Sequence, residues 1–568
     1  MGDVVEIIVD GTSGLAPGGV EGRCIVAGCC SLGEPGRPYL LGSRSDFNSI
    51  LGVGPLVDAL RDVFAAGGQT PVVVAVPVAG QPSGYITACR HQGSGPEVVV
   101  KGEALAAAEV LITVSLGGAN GSAAVQVSKD NGQTHETAAV PLDGVVAVAD
   151  TGARLVFSAT EENPLIDGDT YSFMVVTSTS QHQQSGPGPA VTVGGEPKAG
   201  GQLEVLIVKS GGLNVGTYKL STDGGDNYGP VRTLPLDAVI NVPQLGLTLE
   251  LAEDDYQAGT LYTWEILPPS PTTAAVMEAL AGPLESYDVE FVYIVGPSDS
   301  VDWAAAAALG QESWNKHRPL YFKFEARLPY ADESLSDWAT SLINEREGFA
   351  SKYVQVIAAF GETSDSTGLS KVRSWGGLNA GKILSIPVQR AAGRVRDGAT
   401  GQAALPEGWN DSLRSLLEAA GYVTAKRYAG RPGVFWGDSR TMAEDTSDYR
   451  YEEVLRTTFK AFRKCRVAAL KSLYDEATDL GGGLTNTSAG LAFLESNIEA
   501  ALNTMVKAVP PELDGFAVVI PLDQDIINNG LAVELTFYGI PIIRKITLYG
   551  KYVYAGGQFD SRQEVWSE

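Results

Sequence analysis

The chain has 568 residues, 44% of them apolar and 19% charged, which describes a folded protein of several units rather than a disordered one. Its 67 Asp and Glu outnumber 41 Lys and Arg, for a formal charge of −26, and that excess argues against nucleic acid as a partner. No stretch approaches the ~20 uninterrupted apolar residues of a membrane-spanning helix, and the opening MGDVVEIIVD carries acids where a secretory leader carries basic residues, so the sequence predicts folding in the cytoplasm without a membrane.

Residues 1–20 predict an N-terminal arm, in which VVEIIV, with Val4, Val5, Ile7 and Ile8, precedes the glycine-rich GTSGLAPGGVEG. Extended backbone with unpaired N–H and C=O groups can add to a neighbouring sheet edge. An exchangeable strand is therefore one expectation, and a strand docked on its own domain is the other. Residues 21–94 read as an α/β segment of a core, with RCIVAGCC, the helix PLVDALRDVFAAGG and the strand PVVVAVPV. Pro55 suits the first turn of that helix and Gly67–Gly68 its end. The five cysteines contain no CxxC and are expected to be buried small apolar residues.

Residues 95–270 change character to short β-forming runs between Gly, Asp and Asn turns, and they repeat. PEVVVKGE at Pro96 returns as PAVTVGGE at Pro189, Ser128/Asp130/Gly132 return as Ser221/Asp223/Gly225, and Gly168/Tyr171 return as Gly259/Tyr262, at offsets of 93, 93 and 91. This predicts two tandem β-sandwich repeats, 95–182 and 183–270, joined by the polar linker STSQHQQSGPGPA.

Residues 271–400 predict an α/β core domain through YDVEFVYIV, WAAAAALGQESW, PLYFKFEA, LSDWATSLINEREG, YVQVIAAFG and KILSIPV, a βαβαβ rhythm that favours parallel strands. Residues 401–555 predict a C-terminal domain with helices over about 451–476 and 488–509. An antiparallel strand pair carrying Val518, Ile520, Val533, Leu535 and Phe537 closes it, and residues 556–568 form a tail. The fold class expected is thus a multidomain α/β and all-β chain, with two inserted sandwiches in an α/β core and exchangeable terminal strands.

The stretch GGLNAGKIL at Gly376 comes close to a phosphate loop, but Ile383 stands where a Mg²⁺-binding hydroxyl belongs and ILSIPV reads as a strand rather than the required helix. The four histidines are scattered without metal-ligand spacing, and the Asp-rich turns at Asp130 and Asp223 do not complete a Ca²⁺ loop. No catalytic, cofactor or metal site is predicted, and no cofactor. Arg456, Lys460, Arg463, Lys464 and Lys471 fall near helical spacing, giving either a solvated basic face or a docking surface for an acidic partner.

APGGVEG, GSRSDFNSILGVGPLVDALRDVFAAGGQTPVVVAVPV, PGVFWGDSRTMAEDTSDYRYEEVLRTTFKAFRK and the closing strand pair, in that order, resemble the contractile tail sheath proteins of bacteriophages and phage-like injection systems. The resemblance covers about 1–80 and 285–555, with 95–267 similar to the variable decoration such proteins carry outside. It implies a non-enzymatic virion protein, assembled in the host cytoplasm as stacked hexameric rings around a tail tube, with baseplate and tail terminator proteins as further partners. It places self-assembly on Val4, Val5, Ile7 and Ile8 and on the C-terminal strands, and the tube contact on Arg456, Lys460, Arg463 and Lys464. The alternatives are an α/β enzyme binding a nucleotide or small molecule, and a cell-surface adhesion protein with tandem sandwiches.

Overall fold

The computed structural model describes residues 20–68, 71–179, 181–330, 333–364, 370–401, 404–474, 489–521, 524, 526–550 and 552. The predicted arm residues Val4, Val5, Ile7 and Ile8 and the tail 556–568 lie outside them.

The core is one six-stranded sheet built from both sides of the insertion. Its strands are β1 (Arg23–Gly28), β2 (Tyr39–Leu41), β3 (Val72–Pro77), β4 (Phe291–Ser298), β5 (Tyr321–Ala326) and β6 (Val354–Ile357), in the order β2-β3-β1-β4-β5-β6. All neighbours run parallel except β2, which is antiparallel to β3. Register pairs Cys24 with both Phe291 and Val73. A parallel sheet is covered on both faces, so its strands read as continuous apolar runs, and β3 and β5 are buried along their whole length.

Alternate side chains feed two cores. Cys24, Val26, Val73, Ala75, Phe291, Tyr293 and Tyr321 face a cluster with helices α1 (Pro55–Gly67), α5 (Gly376–Leu384) and α7 (Glu452–Ala469). Ile25, Ala27, Val74, Val76, Val292, Ile294 and Phe322 face one with α2 (Thr273–Ser286), α3 (Ser300–Asn315), α4 (Leu335–Arg346) and α6 (Asp411–Ala419). Local chemistry starts these helices where they are needed. Asp299 and Asp302 form a reciprocal capping box on α3, the Ser334 hydroxyl accepts from Asp337 N–H at α4, and Pro55 opens α1.

The insertion leaves at Gly80–Gln81 and returns at Ser270–Pro271, two short strands paired antiparallel with each other. Within it, a sheet around Ala108–Leu116 and Thr170–Val176 and a three-stranded sheet around Ala153–Phe157 share one buried cluster, and a second pair of sheets, around Gly201–Lys209 and Leu247–Leu251, shares another. The sequence repeat is a repeat of physical contacts. Ala108–Leu116 and Gly201–Lys209 have the same alternation of buried and open residues. The Tyr171 hydroxyl donates to Pro96 O at 2.8 Å and the Tyr262 hydroxyl to Pro189 O at 2.8 Å. The Ser128 hydroxyl accepts from Gly132 N–H, as that of Ser221 does from Gly225 N–H.

Three sequence expectations need correction. Gln181–Ser185, expected within the linker, is an edge strand on Leu261–Ile266, because a polar run suits an edge with one face in solvent. Tyr85–Ile86 and Arg90–Gln92, expected in the core segment, pair with Thr170–Val176 of the first inserted unit. KILSIPV is not a strand, since Lys382–Leu384 end α5.

The C-terminal region adds α8 (Ala489–Val506) and the antiparallel pair β7 (Gly515–Val519) and β8 (Glu534–Tyr538), with Phe516 opposite Phe537 and Val518 opposite Leu535. One face of this hairpin packs on α7 and α8 through Val518, Ile520, Val533, Leu535 and Phe537.

Because the two Tyr–Pro bonds sit in separate cores, Tyr171→Phe and Tyr262→Phe are each expected to lower stability by about 1–2 kcal/mol, and additively in the double variant. Urea unfolding of the full chain checks this; strong non-additivity would mean the units do not repeat energetically.

Candidate functional site: the helix that joins both ends of the chain

A doubly wound sheet holds ligands beyond the strand ends where the strand order reverses, which here is between β1 and β4. That place is filled by protein. A Cβ on Gly28 would stand 2.9 Å from Val295 Cβ, one on Gly80 would stand 2.8 Å from Cys29 Sγ and 3.0 Å from Pro269 Cβ, and one on Gly54 would meet Cys29 O and Lys198 O at 3.0 Å. The insertion, through Pro269 near its root and Lys198 of its second unit, thus packs against the segment that follows β1.

The glycine stretch at 376 has a packing role. A Cβ on Gly377 would lie 2.8 Å from Ala59 O and from Asp62 Cβ, and one on Gly381 would press on Val63 O. The two glycines, four apart, let α5 ride directly on the backbone of α1. That close approach, rather than a phosphate, is why the stretch is helical and glycine-rich. Beside it Asp62, 7% exposed, pairs with Arg373 at 3.0 Å. Burial pushes the Asp62 carboxyl up to about 6 against the pull of the guanidinium.

The Asp130 turn closes on itself. Its carboxylate accepts from Thr134 N–H and hydroxyl, from the Ser128 hydroxyl and from Gln133 N–H, and these bonds hold it well below the usual carboxylate range. No cluster of metal-ligating side chains occurs among the described residues.

The densest charge chemistry lies where α7 crosses the sheet. Glu452, fully buried at the helix start, takes Lys323 Nζ at 2.6 Å, the Tyr321 hydroxyl at 2.6 Å and Gln355 Nε2 at 3.1 Å. Lys323 Nζ also donates to Gln355 Oε1 at 2.5 Å and to Asn379 Oδ1 at 2.7 Å. Burial lowers the Lys323 pKa, while Lys323 and Arg456 outweigh burial at Glu452 and lower its pKa. One turn on, Arg456 meets Glu290 at 2.5 Å and donates to Ile383 O at 3.1 Å.

The same helix reaches both ends of the described chain. Glu290 also accepts from Gly22 N–H at 3.1 Å, and Arg463 pairs with Glu21 at 3.2 Å, so the root of the N-terminal segment is fixed against α7. At the other end Arg544 pairs with Glu453 and, at 2.5 Å, with Asp438, and lies 3.5 Å over the Tyr451 ring. A groove of about 340 Å³ runs between α7 and residues 539–542, lined by Val454, Leu513, Phe537 and Ile540. Beyond Tyr538 no residue to Gly550 is in a strand, and Ile543, Ile546 and Leu548 are 80%, 74% and 89% exposed.

The residues expected to face the tube all lie on α7, and each has surroundings within the chain. Arg456 is 2% exposed and bound to Glu290 within the subunit. Lys460 is satisfied by Glu512 at 2.7 Å and Arg463 by Glu21 and, at 2.5 Å, by Pro319 O; Lys464 is half-buried. The helix spacing was legible, but the acids that absorb it come from remote parts of the chain. The missed residues are Glu290, Lys323 and Arg544, the last two being the partners of Glu452 and Glu453. Their signal is a lone charge within or beside an apolar run, as in YDVEFVYIV and YFKFEA.

Arg456→Met is expected to cost about 3–5 kcal/mol by stranding buried Glu290, and Glu290→Leu in the same chain should recover part of it; denaturant midpoints of both variants test this. Asp62 has a folded pKa above its unfolded one, so its contribution to stability is full below about pH 4 and is lost as pH rises through about 6. Asp62→Asn should therefore remove on the order of 2–3 kcal/mol of that pH dependence, and unfolding curves across pH 4–7.5 with an unchanged slope would contradict it.

Two family models cover most of the chain: "DUF2586, N-terminal domain" matches residues 1–440 and "DUF2586, C-terminal domain" matches residues 448–557. No curated protein matches the sequence significantly. Among solved structures, the chain is similar to a sheath tail protein of Desulfitobacterium hafniense, at 10% identity over 95% of this chain and 100% of that one, with a TM-score of 0.42. A sheath tail protein of Listeria innocua follows at 12% identity over 93% and 97%, TM-score 0.40. The contracted sheath of an extracellular contractile injection system matches at 16% identity over 50% and 75%, TM-score 0.38. With family models spanning both its core and its C-terminal region, the chain belongs to the DUF2586 family.

Proposed function

We propose that the chain is a structural, non-enzymatic subunit of a contractile tail sheath. It polymerises as stacked six-membered rings around a tail tube and shortens by releasing conformational energy stored at assembly, without nucleotide hydrolysis. The observation that carries the reading is the segment after β8: ITLYGKYVY is rich in strand-forming residues, and Ile546 and Leu548 stand bare to solvent next to a rigid anchor at Arg544. Such a segment gains backbone hydrogen bonds and burial together when it adds to a sheet of another copy. The ordered sequence resemblance, from APGGVEG to the closing strands, supports the same assignment.

On this reading Val4, Val5, Ile7 and Ile8 form the second exchanged strand, and the hairpin bearing Val518, Ile520, Val533, Leu535 and Phe537 receives strands. The inserted units are tandem β-sandwich decorations on the outer surface. The partners are further copies of the chain, the tail tube, and baseplate and terminator proteins, with assembly in the host cytoplasm. Of the basic residues first considered for the tube, the half-buried Lys464 remains a candidate.

Electron microscopy of the purified full chain should reveal rings or tubes, while a chain ending at Tyr538 should stay dispersed. A full chain that sediments as a monomer contradicts the reading. Replacing 82–269 by a short Gly–Ser turn should leave assembly intact, since Gln81 and Ser270 already pair; loss of polymers there would refute the decorative role.

A further inference from the structure

Helix α7 carries the anchors of both terminal segments. On its first turn Glu453, 3% exposed, holds Arg544, the root of the C-terminal segment. Only one oxygen of Glu453 has a partner, so this buried carboxylate depends on the guanidinium for its compensation. On later turns Arg456 holds Glu290, which binds Gly22 N–H, and Arg463 holds Glu21 beside it. Residues 453 and 463 are separated by roughly 15 Å of helix at 1.5 Å per residue. The helix itself is locked to the sheet through Glu452 and Lys323, both fully buried.

We propose that α7 is the coupling element between the two terminal segments: by clamping Glu21 through Arg463 and Arg544 through Glu453, it fixes the spacing of the two strand donors, and with it the spacing of the neighbours they reach. The spacing claim rests on the strand-donor reading given above; the clamping claim does not. Arg463 and Arg544 are positioning residues. They hold the segments at their roots and leave the donated strands free, so their loss loosens the geometry of a polymer without removing its links. Coupling of this kind needs a rigid element that both ends bias, and α7 meets that condition because one of its buried pairs, Arg456–Glu290, lies between the two clamps and the other, Glu452–Lys323, adjoins the first.

Hydrogen exchange by mass spectrometry and limited proteolysis of the full chain, with Arg544→Ala, Arg463→Ala and Lys545→Ala as a neighbouring control, test the clamps. Arg463→Ala should speed exchange at least tenfold over 20–23, where Gly22 N–H is bonded to Glu290, Arg544→Ala should speed proteinase K cleavage within 539–545 at least tenfold, and α7 should stay as protected as in the wild type and the control. Electron microscopy of the same proteins tests the spacing: both clamp variants should still form polymers, with a spread of helical rise and twist where the wild type has one value. Unchanged exchange over 20–23 together with unchanged cleavage within 539–545 overturns the clamping. Clamp variants with wild-type helical parameters overturn the spacing. A wild-type chain that forms no polymer overturns the strand-donor reading and the spacing claim together, while the exchange and cleavage data still decide the clamping.

Discussion

The docking of α7 on the sheet depends on charges that have no access to water. Lys323 and Glu452 are both fully buried, and each would carry a desolvation penalty of several kcal/mol if left alone. They are tolerated because the geometry is complete: Lys323 has three oxygen acceptors, and Glu452 has three donors. Apolar contacts alone would let a helix slide by a turn against the sheet, whereas a buried pair of this kind has one acceptable register. The C-terminal region and the α/β core therefore behave as one body, although they are matched by two separate family models.

That rigid body gives the termini their meaning. The chain enters at Glu21–Gly22 and leaves at Arg544, and both points are tied to the same helix by ionic contacts. The insertion departs and returns through a single two-stranded bridge, so more than 180 residues are added without disturbing the sheet. Its residues Lys198 and Pro269 also pack beside the segment that follows β1.

Much of this was legible in the sequence. The internal repeat was readable because Tyr171 and Tyr262 make the same bond to Pro96 and Pro189, and a contact that must be made twice keeps its residues at a fixed offset. The strands of the core were readable because burial on both faces demands unbroken apolar runs. Lys382–Leu384, which read as the start of a strand, instead end α5, because the glycines before them answer to the backbone of α1, more than 300 residues earlier in the chain. The same limit governed α7. Helical spacing revealed the row of basic residues but not the acids Glu21, Glu290 and Glu512 that neutralise it, since partners brought together by the fold leave no local pattern.

The central claim is that the terminal segments join separate copies. Cross-linking of polymers grown from an equal mixture of ¹⁴N- and ¹⁵N-labelled chains, read by mass spectrometry, tests it most directly. The account predicts that links from Lys545 and Lys551 occur as mixed-isotope pairs, in the proportion expected for contacts between different molecules. Links from these lysines confined to single-isotope pairs would mean that the C-terminal segment stays on its own subunit, and would contradict the account.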